Sequence, residues 1–457
     1  MGSRPGQRHR ACDTRDRRVE GQIRGNESYE RNASTLETSP EGSVRRLKAA
    51  ILAAGRGERL WPLDEKNPKH LLPIGGEPLL QRTVGGLVKI GVREIVMVVQ
   101  FEAEKIKSFF GDGRRLDCEI SYLKQKRLGG TADAVRTCEN ELQGEDRFLI
   151  VYGDNYYDQK ALNKFVKSSD SKDLLMGAAE VKDPSRFGTL EVKRGNIVSI
   201  REKVASGNVG VVNAGIYVLD NSIFSAIQKT RKSKRGEFEL TDSLSLLMSE
   251  GRRIRTIPFG KGEWVGISYP WDLLEANRSA LDSDEEVRDG ETEVGAHLKG
   301  SVSLAKGSLV KSGSYIEGPV YVGEGAVVGP NAYLRPGTSL GRGAKVGAGC
   351  EVKNSIVMDE AKVPHLCYVG DSVLGNGTSL GAGTITANLK FNDSNVESRV
   401  KGSLVDTGQR KLGAILGDGV KTGINVSIFP GVKIGANAWI GPGAIVRTDV
   451  PSRARVK

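Results

Sequence analysis

The sequence predicts an α/β protein in two parts: a doubly wound, mostly parallel sheet, then a left-handed parallel β-helix. Three observations predict it. Short apolar strands alternate with helical segments from Lys48 to about Asn277, an acidic stretch follows, and a six-residue apolar period then runs nearly to the C-terminus. Strands alternating with helices build parallel sheets, whose ligands lie at the carboxyl ends of the strands. Hexapeptide periods build stacked coils that bury one apolar side chain per face and one small residue per corner.

The elements follow in order. Residues 1–47 are polar, rich in Arg, Ser and Gly and without periodicity, and read as a disordered basic tail or a misassigned start. Residues 48–277 form the sheet domain. Its first strand, Lys48 into Leu52, stops at Ala53-Ala54-Gly55-Arg56-Gly57, where small residues let the backbone turn and leave N–H groups to face a phosphate. Leu79 to Ile90 has helical spacing, Glu94–Val99 and Phe148–Tyr152 read as strands, and the latter ends at Gly153-Asp154. Residues 278–297, acidic and polar, read as a linker. Residues 298–457 form the β-helix domain.

In that domain Leu304, Val310, Ile316, Val322, Val328, Leu334, Leu340, Val346, Val352 and Met358 fall on one hexad register. Corner residues four positions on run from Ser308 through Cys350 to Ile356. The register slips near Pro364, recovers at Leu374 and Leu380, breaks between Asn388 and Lys411, and resumes from Leu416 to Val446.

Composition bounds the function. A chain of 457 residues allows about three domains. Its 58 glycines exceed the roughly 7% expected and concentrate after Gly300, as a turn-dense repeat requires. No apolar run is long enough to span a bilayer and no apolar signal core opens the chain, so a cytoplasmic protein without a membrane partner is expected. The five cysteines (Cys12, Cys118, Cys138, Cys350, Cys367) are scattered without metal-ligand spacing and fit a reducing compartment. The net charge of +11 lies partly in the first 47 residues, and no basic helix or aromatic platform accompanies it. Nucleic acid is therefore not an expected partner, whereas phosphate-rich substrates favour such a surface.

A glycine turn alone is common to ordinary strand-to-helix connections. Here Arg59 follows it and Lys69 stands just beyond Pro68, so two cations can converge on what the backbone holds. The stretch LAAGRGERLWPLDEKNPKHLLPI resembles the signature of the sugar-phosphate nucleotidylyltransferases. In that family the turn cradles a nucleoside triphosphate, the Arg neutralises its phosphates and the Lys binds a sugar phosphate. The resemblance places Leu52, Ala53, Ala54 and Gly55, with Tyr152 and Gly153, at the nucleotide. It makes Gln125 the reader of a pyrimidine edge, with Gly130 and Thr131 admitting the base to the backbone. Asp154 resembles the Mg²⁺ ligand, and Gly188, Glu202 and Asn213 match three sugar-contacting positions. One carboxylate is missing: the family often has Trp-x-Asp-x-Gly, where this chain has Trp264-Val265-Gly266-Ile267-Ser268.

AKVPHLCYVGDS, followed by LGAGTITANLK, resembles the acetyltransferase half of bifunctional glucosamine-1-phosphate acetyltransferase/N-acetylglucosamine-1-phosphate uridylyltransferases, archaeal-type members especially. The resemblance makes His365 the general base, an imidazole suited to take a proton from an attacking amine. It matches Arg335 and Lys353 to cations holding the sugar phosphate, Tyr368 and Asn388 to sugar contacts, and Ala382 to the acetyl-CoA stretch. Ser379 stands where the family usually has Asn, and Leu389 where it has Tyr. The implied substrates are a nucleoside triphosphate (UTP or dTTP), an amino-sugar 1-phosphate and acetyl-CoA, with Mg²⁺, in a homotrimer whose acyl site lies between subunits. Two other readings remain open: a glucose-1-phosphate uridylyl- or thymidylyltransferase with a structural β-helix, and a non-enzymatic regulatory subunit.

Overall fold

In the computed structural model, which describes Gly2 and residues 47–170, 172–202 and 209–457, the first domain is built on a nine-stranded sheet. Cys12 and the expected tail, apart from Gly2 and Leu47, lie outside the described residues. The strands are β1 (Lys48–Ala53), β2 (Glu94–Val99), β3 (Glu119–Lys124), β4 (Phe148–Tyr152), β5 (Leu174–Val181), β6 (Gly188–Lys193), β7 (Asn196–Glu202), β8 (Gly210–Leu219) and β9 (Ile254–Phe259). Their order is β3-β2-β1-β4-β8-β5-β9-β7-β6.

The half that carries the glycine turn, β3-β2-β1-β4, is wholly parallel. Beyond it only β5 and β9 pair parallel, while β8, β7 and β6 run antiparallel to their neighbours. The sheet is thus mixed rather than mostly parallel. Part of the cause is local: β6 and β7 are joined by Arg194 and Gly195, both at positive φ (50° and 77°), the geometry of a tight hairpin turn.

β1 is apolar at every position after Lys48 because both its faces are covered. Ala49, Ile51 and Ala53 pack with Leu80, Val84 and Leu87 of helix α1 (Leu79–Lys89). Ala50 and Leu52 pack on the other side with Ala132 and Val135 of α2 (Thr131–Thr137). The domain closes with α3 (Asp272–Ser283). The stretch expected as a linker, 278–297, therefore holds the end of α3 and the first coil of the β-helix, whose ladder begins at Arg288 opposite Leu304.

The β-helix has three parallel faces. Face one begins at Glu291–Thr292, face two at His297–Lys299 and face three at Val302–Leu304. Leu304 through Val352 of the expected register are all buried inside it. The register then breaks earlier than expected. Leu334 pairs with Val352, eighteen residues on, but Leu340 pairs with Val357, only seventeen on. Val357, not Met358, enters the core, and Ser355, not Ile356, takes the corner. A second coil is shortened in the same way between Val369 and Leu374. Asn354 and Asp371 stand at the two shortened corners in the left-handed region (φ 44° and 49°), which Asn and Asp tolerate better than most residues.

Ile356 and Met358 are nonetheless buried, because the outer side of face three packs on the first domain. They join Val373 and Ile415 in one apolar cluster with Leu60, Leu72, Ile74, Trp271 and Leu274. The described residues from Leu47 to Lys457 form one compact unit accordingly. The interruption between Asn388 and Lys411 carries an antiparallel hairpin, Glu397–Val400 with Ser403–Asp406, whose Val396, Val400 and Val405 join the same cluster. Cys118, Cys138, Cys350 and Cys367 are buried and free. Among the described residues no helix is long and apolar enough to cross a membrane.

Candidate active sites

The first site forms where parallel strands β1 and β4 end side by side. After β1 the chain turns through Gly57 (φ 81°) into the short helical turn Glu58–Leu60. The Lys69 side chain lies across this turn: a Cβ at Gly55 would come within 3.3 Å of its Nζ, and one at Gly57 within 3.0 Å of its Cδ. Its ammonium ends on the Asp154 carboxylate, just past β4. Burial pushes the Asp154 carboxyl up, but the cation at Lys69 outweighs it and holds the group below the usual carboxylate range. His70 behind it is buried, and burial pushes its imidazole down to about 3. Arg59 places its guanidinium over the Tyr269 ring, 5.5 Å from the centroid, where Arg186 also lies at 5.1 Å.

Gln125 is buried at the end of β3. Its Nε2 donates to Asp133 Oδ2 (2.9 Å) and to the Gly130 carbonyl (3.3 Å). This fixes the amide with Oε1 as its acceptor end. Gly130 (φ 101°) starts α2, and a Cβ there would meet the Phe238 carbonyl oxygen at 2.4 Å. Thr131 caps the other approach by accepting from the Leu240 N–H. Gly153 donates its N–H to Leu52, joining two of the expected nucleotide positions.

The expected sugar positions also gather. Gly188 and Glu202 face each other across β6 and β7. Glu202 accepts from Thr241 Oγ1 at 2.7 Å. Asn213 donates to the Tyr217 hydroxyl (2.6 Å), which donates to that of Tyr152 (3.2 Å). Tyr217 and Thr241 were not legible beforehand, since neither lies in a glycine or charge motif.

The missing carboxylate has a steric counterpart. A Cβ on Gly266 would stand 2.6 Å from the Phe187 ring and 2.9 Å from that of Trp264. Asp272, a nearby carboxylate, is buried and engaged: it accepts from Arg186 (3.0 Å) and from the backbone N–H groups of Ser268 and Tyr269 (2.8 Å each). Among the described residues no three His, Cys, Asp or Glu side chains gather as a ready-made metal site. A single carboxylate, Asp154, beside the glycine turn suits Mg²⁺, which takes one or two carboxylates and fills its octahedron with phosphate oxygens and water.

The second site follows face two of the β-helix, from the corner after face one, where His365 lies, to the ends of the face-two strands. Arg335 and Lys353 occupy adjacent rungs of face two, and the next rung is Gly370. A Cβ there would meet the Tyr368 hydroxyl at 2.5 Å and Asn388 Nδ2 at 2.7 Å, so the glycine makes room for both. Asn388 Nδ2 donates to the Tyr368 hydroxyl at 3.2 Å. Arg335 donates to Glu351 at 2.9 Å. His365 ends the face-one strand Lys362–His365, three residues before Tyr368, with its side chain exposed. Its carbonyl accepts from the Gly383 N–H, so the Ala382-Gly383 corner stacks directly on its own.

The fold joins a nucleotidyltransferase sheet to a hexapeptide β-helix, each with a polar site of its own. The nucleotidyl transferase family profile matches residues 48–283, and the GMPPB C-terminal domain profile matches residues 316–423. The chain is 41% identical over 411 residues to the bifunctional protein GlmU of Methanocaldococcus jannaschii, covering 90% of this chain and 97% of that one. It is 40% identical over 408 residues to the bifunctional sugar-1-phosphate nucleotidylyltransferase/acetyltransferase of Sulfurisphaera tokodaii, covering 88% and 98%. It is 34% identical over 340 residues to the low-salt glycan biosynthesis nucleotidyltransferase Agl11 of Haloferax volcanii, covering 74% and 94%. The chain belongs to the nucleotidyl transferase family and, along nearly its whole length, to the bifunctional nucleotidylyltransferase/acetyltransferases within it.

Proposed function

We propose that this cytoplasmic enzyme makes UDP-N-acetylglucosamine in two steps. The β-helix transfers the acetyl group of acetyl-CoA to the amine of glucosamine 1-phosphate. The sheet domain then transfers uridylyl from UTP to the phosphate of the product and releases pyrophosphate.

In the first step His365 removes a proton from the substrate ammonium. The freed amine attacks the thioester carbonyl, an N–C bond forms, the C–S bond breaks, and the proton that the nitrogen then sheds goes to the departing sulfur, so coenzyme A leaves as the thiol. Arg335 and Lys353 hold the sugar phosphate, Tyr368 and Asn388 the sugar, and the Ala382 corner the acetyl-CoA. The exposure of His365, with Leu366 (69% exposed) next to it and Phe391 (fully exposed) just past Asn388, supports a homotrimer in which another copy covers this side of the β-helix.

In the second step a sugar-phosphate oxygen attacks the α-phosphorus of UTP in line, and the bond to the β-phosphate oxygen breaks. Positioning and neutralisation of charge carry such transfers. The glycine turn and Arg59 hold the triphosphate, and Lys69 meets the sugar phosphate. Gln125 Oε1 accepts from the pyrimidine N3–H, which UTP and dTTP share. Gly188, Glu202 and Asn213 line the sugar side. Asp154 would hold Mg²⁺, which when bound offsets the triphosphate charge.

The observation that carries this reading is the convergence of Lys353, Tyr368 and Asn388 from two coils and an inserted loop into one hydrogen-bonded group, with His365 three residues before Tyr368 in the chain. A structural β-helix has no need of it. The test supplies glucosamine 1-phosphate, acetyl-CoA, UTP and Mg²⁺, and follows thiol and pyrophosphate separately beside His365→Ala. Both products should appear, and the variant should lose only the thiol. Pyrophosphate from a supplied hexose 1-phosphate without any thiol would return the β-helix to a structural part.

A further inference from the structure

The acetyl-transfer group contains a residue that none of the motifs singled out. Asp371 stands at the second shortened corner, where face two turns towards face three, and its side chain is only 6% exposed. Three donors converge on it. Lys353 Nζ reaches Oδ2 at 3.2 Å, Asn388 Nδ2 reaches the same oxygen at 2.5 Å, and Asn354 Nδ2 reaches Oδ1 at 2.6 Å. Asn388 also holds the Tyr368 hydroxyl at 3.2 Å.

The chemistry demands a carboxylate here. Two ionised oxygens offer about four lone-pair sites and no proton, which suits three donors, one of them cationic. An amide in its place would offer one acceptor oxygen and turn its NH₂ towards an ammonium. The backbone explains how the group reaches the site. Shortening the coil by one residue puts Asp371 in the left-handed region at the end of face two, and its neighbour Gly370 leaves the space that Tyr368 and Asn388 fill. The site is also tied to the first domain, since Asn354 Oδ1 accepts from Arg278 of α3 at 2.7 Å.

We propose that Asp371 is the positioning residue of the acetyl-transfer site: its carboxylate fixes Lys353 and Asn388 where they meet the amino-sugar phosphate, without itself touching substrate. The inference rests on the acetyltransferase reading above. A lysine on a four-carbon stem otherwise samples many rotamers, and a pre-placed cation lowers the ordering cost of binding. The effect therefore falls on the sugar phosphate and not on acetyl-CoA.

The test measures thiol release by the full-length chain, varying glucosamine 1-phosphate and acetyl-CoA in turn. Asp371→Asn should raise KM for glucosamine 1-phosphate about tenfold or more, while KM for acetyl-CoA stays within about twofold. Asp371→Gly, which suits a φ of 49° and removes the carboxylate without backbone strain, should do the same. In a Lys353→Met background, Asp371→Asn should cost much less than it does alone, because its partner is already gone. Uridylyl transfer to supplied N-acetylglucosamine 1-phosphate reports that each variant is folded. Unchanged KM for the sugar phosphate in both Asp371 variants overturns the inference, as does an equal factor with and without Lys353. If the unaltered chain releases no thiol, the acetyltransferase reading itself fails, an outcome distinct from either.

Discussion

Ser339, on face three of the β-helix, donates its hydroxyl at 2.8 Å to Oδ1 of Asn277, a fully buried residue of α3. The same oxygen accepts from the Gly75 N–H at 2.7 Å, and Asn277 Nδ2 donates to the Gly337 carbonyl at 2.9 Å. One amide thus bonds two parts of the first domain to two residues of the second. A buried polar group left without its partner costs about 1–3 kcal/mol. Asn277→Ala orphans three such groups at once and should lower stability by about 3 kcal/mol or more. Calorimetry should show the midpoint falling and the domains melting separately, while a single unshifted transition would refute the bond's importance.

Lys69 gives a prediction confined to one site. Its stem is packed over Gly55 and Gly57 and its ammonium is held by Asp154, so it is already placed for an incoming anion. Removing a pre-placed charge of this kind typically costs about 10²–10³ in rate. Lys69→Ala should lower pyrophosphate release by that factor with thiol release unchanged. Loss of both signals would show that the substitution had instead disturbed the shared interface.

Much of this was legible because the residues obey strong local rules. Glycines, one Pro-Lys pair and a strand-end Asp marked the first site, and the hexad marked the β-helix. The one-residue slip at Ile356 to Met358 was not legible, for a physical reason. A hexad is found by contrast between an apolar inward side and a polar outward one. Where face three meets the first domain the outward side is apolar too, so Val357 and Met358 look alike in sequence. Asp371 was hidden by the second shortening, between Val369 and Leu374, since in a regular coil its position is an ordinary turn. The mixed sheet was missed because antiparallel pairing arises from hairpins whose turns, such as Arg194-Gly195, are inconspicuous in sequence.

Gly266 can be tested against its neighbours. An aspartate there cannot simply become a second metal ligand, because its Cβ would press on the Phe187 ring at 2.6 Å. That ring stands edge-on to Trp264 at 5.4 Å and has little room to give. Gly266→Asp alone should therefore lower the thermal midpoint without improving the Mg²⁺ response of pyrophosphate release. Adding Phe187→Ala should restore the fold and lower the half-saturating Mg²⁺ concentration by about tenfold, the effect of one further carboxylate worth roughly 1.4 kcal/mol. Equal Mg²⁺ dependence in all three proteins would show that position 266 does not face the metal.

Asp64 sets a pH dependence with a definite sign. Burial, with Glu65 and Glu58 nearby and Arg56 only partly opposing, pushes its carboxyl up to about 6, and Lys433 is the buried cation facing it from the β-helix. The folded protein therefore holds a proton that the unfolded chain, near 3.9, has already lost. Stability from this group is full below about pH 4 and declines as pH rises through about 6, so at neutral pH the ionised Asp64 is a cost. Asp64→Asn removes that cost. It should raise stability at about pH 7 by about 1–2 kcal/mol, once partial exposure is discounted, and have almost no effect near pH 4. Denaturant midpoints at the two pH values decide it: a variant less stable at neutral pH would mean that ionised Asp64 is held by Lys433 rather than strained by burial.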